Sequence, residues 1–169
     1  GMMPHIIHLI REPSNKHYFT NMTSGFTSVT NSFILKILIQ TVNFIKEDKV
    51  QMIRYFDFFI QGYKKKWDKD VFHFLDSIAN DNVIEQSRGL SHRVTRILVD
   101  IFKVKSKQGL LKIIDEIILE LNDCYDGEKN SPKIQKLKGM IREYEEELVW
   151  ANYGVRVRDI YHLRLGFYQ

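Results

Sequence analysis

The stretch that most constrains this chain is Phe33 to Ile45, FILKILIQTVNFI. Lys36, Gln40 and Asn43 fall at i, i+4 and i+7, which is one narrow polar stripe on a helix. Apart from Thr41, every other residue there is large and apolar, so the helix needs cover on several sides. A membrane is not the expected cover: a span needs about 20 apolar residues, and Lys36 and Gln40 interrupt this run. The stretch predicts a central helix enclosed by amphipathic neighbours. A chain of 169 residues can bury such a core without metal or disulfide staples. Its lone Cys124 has no partner for an internal disulfide.

Ahead of that stretch, His5 to Ile10 is short, apolar and β-branched, and reads as a strand or a buried extended arm. Residues 14 to 31 read as a loop containing one helical turn, with Tyr18, Phe19 and Phe26 as anchors. After it, five amphipathic segments follow. The first starts at Asp48 and carries Val50, Ile53, Phe56, Phe59 and Ile60. The next runs from Asp68 or Asp70 to Ile78 and ends in the turn Asn80-Asp81-Asn82. A longer one reaches about Val104 with Leu90, Val94, Ile97, Leu98 and Ile101 inward, weakened by Gly89. Ser106 caps the fifth helix, and Ser131-Pro132 opens the sixth. Val155 to Tyr168 then alternates, either as a strand pairing with Ile6–Ile10 or as a short helix, which is preferred.

The expected fold is therefore all-α: a single-domain bundle of about six helices around residues 33–45, with a short β pair or extended arms at the termini. Residues 1–31 form the arm and loop, 32–150 the helical core and 151–169 a C-terminal basic segment.

Function is far less constrained. The formal net charge is +4, which is mild. Positive charge gathers at Lys64, Lys65, Lys66 and Lys69, and again at Arg156, Arg158 and Arg164. The weak nucleic-acid reading uses Lys64, Lys65, Lys66, Lys69 and Arg164. Solvated helix faces are preferred, because no known nucleic-acid-binding motif accompanies these cations. No Cys-x-x-Cys, His-Glu-x-x-His, P-loop, Gly-x-Gly-x-x-Gly or Gly-x-Ser-x-Gly occurs, so no metal and no cofactor is expected.

Two histidine segments stand out. Ser91-His92-Arg93 resembles the Ser-His start of the phospho-accepting helix in sensor kinases. It continues Arg-Val-Thr-Arg where those helices place an acid, so a surface histidine is expected. The second is Arg156-Val-Arg158-Asp-Ile-Tyr-His162. It resembles the Arg-polar-His element of the HEPN family, small helical domains that include RNA-cleaving toxins. Arg158-Asp159 supplies the dipeptide, three residues before His162; Arg156 has five intervening residues but is followed by Val157. The resemblance implies an arginine holding the scissile phosphate and His162 moving a proton at the ribose 2′-hydroxyl.

The leading expectation is a soluble cytoplasmic regulatory or protein-interaction module without enzymatic activity. Its partner is another protein or a second copy, with no membrane contact. The alternative is a HEPN-like ribonuclease or RNA-binding domain using Arg156 or Arg158 with His162.

Overall fold

The computed structural model describes residues 3–12, 14–23, 25–47, 68–125 and 128–165. They form an all-α bundle with one short parallel β pair. The elements are α1 (Met3–Ile10), β1 (Phe19–Asn21), α2 (Asn31–Glu47), α3 (Asp68–Ala79), α4 (Val83–Phe102), α5 (Lys107–Asp123), α6 (Pro132–Asn152) and β2 (Ile160–His162). Single 3-10 turns occupy Phe26–Ser28 and Val157–Asp159. The helix expected from Asp48 to Ile60 lies outside the described residues.

Several helix starts follow from local chemistry. Thr30 Oγ1 accepts the Phe33 amide at 3.2 Å, Asn82 caps Glu85 at 3.1 Å, and Ser106 caps Gly109 at 3.1 Å. Pro132 occupies the first turn of α6, where its missing N–H costs nothing. Each helix then buries one face. Ile34, Ile37, Leu38 and Ile45 of α2 meet Val94, Ile97, Leu98 and Val99 of α4 in the main core. Leu110, Ile114, Ile117 and Leu121 of α5 and Ile134, Leu137, Met140 and Ile141 of α6 close it.

The apolar run expected at the centre is α2. Its polar stripe reaches solvent: Lys36 and Asn43 are exposed and Gln40 is half-buried. Thr41, the one buried polar side chain of α2, returns its hydroxyl to the Ile37 carbonyl at 2.8 Å. Phe33 and Ile39 remain exposed. α4 shares the central place and is the more enclosed helix, buried without interruption from Arg93 to Val99 and packed against α2, α3, α5 and α6.

Two terminal segments differ from expectation. Residues 5–10 are helical, not an extended arm. Ile6, Ile7 and Ile10 are half-buried, whereas His5, His8 and Leu9 face outward; that spacing fits a 3.6-residue repeat, and a six-residue window could not separate it from a strand. At the other end, the preferred short helix is one 3-10 turn followed by β2. The strand pairs with Phe19–Asn21, inside the expected loop segment, and not with residues 6–10. The pairing is parallel, with Phe19 opposite Ile160 and Asn21 opposite His162. Both strands are three residues long: the alternation from Val155 onward contains β2 but does not name its partner, and β1 is too short to show a period of its own.

Gly89 sits where α4 crosses α3. A Cβ there would lie 3.5 Å from the Phe74 ring, an ordinary van der Waals contact. Gly89→Ala should therefore fit and should raise stability by about 1 kcal/mol through helix propensity. Thermal unfolding should show a Tm higher by about 2–4 °C; a fall would mean that the α3–α4 crossing has no room for a methyl group.

Candidate functional site

A polar layer crosses the bundle between its main core and a smaller cluster of Val71, Tyr144, Ala151 and Val157. Arg93 and Arg96 project into it from α4, Glu143 and Glu147 from α6, and Asp70 from α3. Arg93 Nη2 donates to Glu147 Oε2 at 2.5 Å, and both side chains are almost wholly buried. Arg96 takes Asp70 through two bonds: Nε donates to Oδ2 at 2.7 Å and Nη2 donates to Oδ1. The Arg93 guanidinium also lies 4.8 Å from the centre of the Tyr144 ring. Burial pushes the Tyr144 phenol well above its usual pKa, with Arg93 opposing, so it stays protonated.

The C-terminal segment is fastened to the same layer. Arg164 donates to Glu143 through Nε at 2.7 Å and Nη2 at 2.9 Å. This two-pronged pair holds Arg164 at a positive φ of 55°, a left-handed conformation that costs a non-glycine residue about 1–3 kcal/mol. His162 Nε2 lies 3.3 Å from Glu147 Oε1, on the carboxylate that also holds Arg93. Its Nδ1 lies 3.9 Å from Glu146 Oε2, and the side chain is only 4 % exposed.

The β pair thus has two different faces. Inward, Phe19 packs on Trp150 with ring centroids 4.3 Å apart, Asn21 donates to Glu146, and Ile160 is fully buried. Outward, Tyr18 and Tyr161 approach with ring centroids 6.2 Å apart. Backbone bonds from Leu163 to Asn21 and from Leu165 to Met22, each 2.8 Å, carry the pairing past the strand ends. Tyr18, Met22, Tyr161, Leu163 and Leu165 are all 43–58 % exposed. The Lys16 ammonium sits 5.1 Å from the Tyr18 ring centre. Its pKa is raised, chiefly by its hydrogen bond to Tyr18, while Asp159 and Arg156 act on it with opposite signs.

Of the sequence-derived site residues, Arg156 donates from Nε to Asp159 at 2.8 Å, and Arg158 is exposed. The contacts of His162 are Glu146 and Glu147, and Arg164 is bound to Glu143. Lys64, Lys65 and Lys66 lie outside the described residues, as does the side chain of Lys69.

The inward-facing stripes carry buried charge as well as apolar side chains. Asp70, Arg93, Arg96, Glu143 and Glu147 were missed. A signal existed: Arg93 lies three residues after Leu90 and four before Ile97, on the stripe that faces the core. Among the described residues no group of three His, Cys, Asp or Glu side chains could hold a metal ion. None of the described helices is long and apolar enough to cross a membrane.

Helix and clasp together define the class: an all-α bundle whose C-terminal segment is tied down by a short parallel β pair and internal ion pairs. Compared with known family models, curated proteins and solved structures, the chain matches none.

His92, expected at the surface, is half-buried. It meets Phe44 of α2 edge-on, with ring centroids 4.8 Å apart. Burial lowers its pKa from 6.5 to about 4, and Asp70 only partly offsets this.

Two predictions follow from this layer. Glu147→Gln removes the carboxylate that the buried Arg93 guanidinium bonds and should cost about 3–5 kcal/mol. Adding Arg93→Met should recover about half of that loss in urea unfolding; a wild-type midpoint for Glu147→Gln would show that the pair contributes nothing. His92 is neutral in the fold down to about pH 4 but takes up a proton near 6.5 once unfolded. Its contribution therefore falls as pH drops through that window, and wild type should lose of order 2 kcal/mol more than His92→Gln between about pH 7 and about pH 4.5. Parallel pH profiles for the two proteins would contradict this.

Proposed function

We propose that this chain is a non-enzymatic protein-interaction module and that the outer face of the β1–β2 pair is its docking surface. The observation that carries the reading is the contrast between the two faces of that pair. The inner face is fastened by His162, Asn21 and Arg164 to Glu143, Glu146 and Glu147. The outer face brings two tyrosines, a methionine and two leucines from distant parts of the chain to a surface where all five stay exposed. Tyr and Met are enriched where proteins meet, and a platform already ordered loses little entropy on binding.

The same arrangement argues against the ribonuclease reading. A general base must reach a substrate proton within hydrogen-bond distance, directly or through one water. His162 is turned inward between two glutamates, and Arg156 is engaged with Asp159.

Incubation of the purified chain with single- and double-stranded RNA should give no cleavage above background. His162→Ala should instead destabilise the fold by about 1–3 kcal/mol, because it withdraws a partner from buried Glu147. RNA cleavage by wild type that disappears in His162→Ala at unchanged Tm would overturn the proposal in favour of the ribonuclease.

A further inference from the structure

We infer that the segment docking on the outer face of β1–β2 is acidic as well as apolar; this deepens the docking reading and rests on it. The apolar part of the surface is divided. Met22, Leu163 and Leu165 lie beyond the strand ends, whereas Tyr18 immediately precedes β1 and Tyr161 is the middle residue of β2. Cations attend the tyrosine end. Lys16 stands over the Tyr18 ring, and Arg156 and Arg158 are exposed on the turn that leads into β2.

Asp159, the acid among them, is buried and accepts from Arg156 Nε. The terminal amino groups of the Arg156 fork are those a second carboxylate would meet. A ligand with aromatic or aliphatic anchors followed by Asp or Glu satisfies both halves of this surface. Opposite charge at the rim speeds encounter and selects among partners of similar apolar pattern.

The alternative ligand with the same charge is a single-stranded nucleic acid stacking bases on the tyrosines. The geometry favours protein. The two rings are tilted by 47° to each other and form no parallel stacking platform. Met22, Leu163 and Leu165 supply aliphatic area suited to apolar anchors, not to base stacking.

A random-peptide display library panned on the full chain tests this, with Leu163→Ser/Leu165→Ser as the counter-selection. Enriched peptides should carry Asp or Glu beside Leu, Phe or Trp. A synthetic consensus peptide should bind at least about tenfold more tightly than its Asn/Gln analogue. Its affinity should fall with added salt and in Lys16→Glu/Arg158→Glu, whose circular dichroism should match wild type. Apolar peptides that are neutral or basic, and that bind the charge-reversed variant equally, would overturn the acidic partner while leaving the docking reading intact. Peptides retained equally by the serine variant, or no enrichment, would overturn both. An oligouridylate bound at this face more tightly than the consensus peptide would also overturn the inference and assign the surface to nucleic acid.

Discussion

The Glu147 carboxylate is the point on which the arrangement depends. One oxygen accepts from Arg93 and the other faces His162, so a single buried group ties α4 to α6 and to the C-terminal strand. Taking such charges out of water is expensive, and the pair adds little net stability over a well-packed apolar replacement. Separating the two groups is nonetheless costly, because a buried charge then loses its match. Asp70 with Arg96 and Glu143 with Arg164 repeat the same logic on either side.

This polar layer explains why an otherwise apolar bundle holds a non-helical tail. Residues 155–165 include one 3-10 turn and three residues of strand, too little regular structure to be stable alone. They are ordered by Val157 and Ile160 packing underneath, by the ladder to β1, and by the contacts of His162 and Arg164 with Glu147 and Glu143 of α6. The left-handed Arg164 is the clearest sign that tertiary contacts override local preference here. Because the inner side is so fully engaged, the side chains that alternate with it are set outward. An exposed apolar surface is thus a direct product of how the tail is fastened.

Lys138 makes a similar link elsewhere. Its ammonium, buried and therefore lowered in pKa, donates to Asn31 at 2.7 Å and joins α6 to the first residue of α2. Together with His92 against Phe44, it places polar or titratable groups at both ends of the α2 contact with the bundle.

The sequence alone determined the helices from α2 onward within the described residues, and it determined them well where the causes are local. Ser106 and Pro132 mark helix starts because a cap or a missing donor acts within one turn. The apolar stripes of α4, α5 and α6 repeat with the helical period, so their inward faces were legible too. What only the tertiary structure decided are the meanings of Arg93, Glu147 and His162 and the partner of β2. Arg93 and Glu147 are 54 positions apart, and Phe19 meets Ile160 across most of the chain. A charged residue on an apolar stripe reads as a solvated edge until its counter-charge is found, and a three-residue strand does not name its partner. Helix starts and stripes are settled within a few residues, but charge pairing and strand register are settled only when distant segments meet.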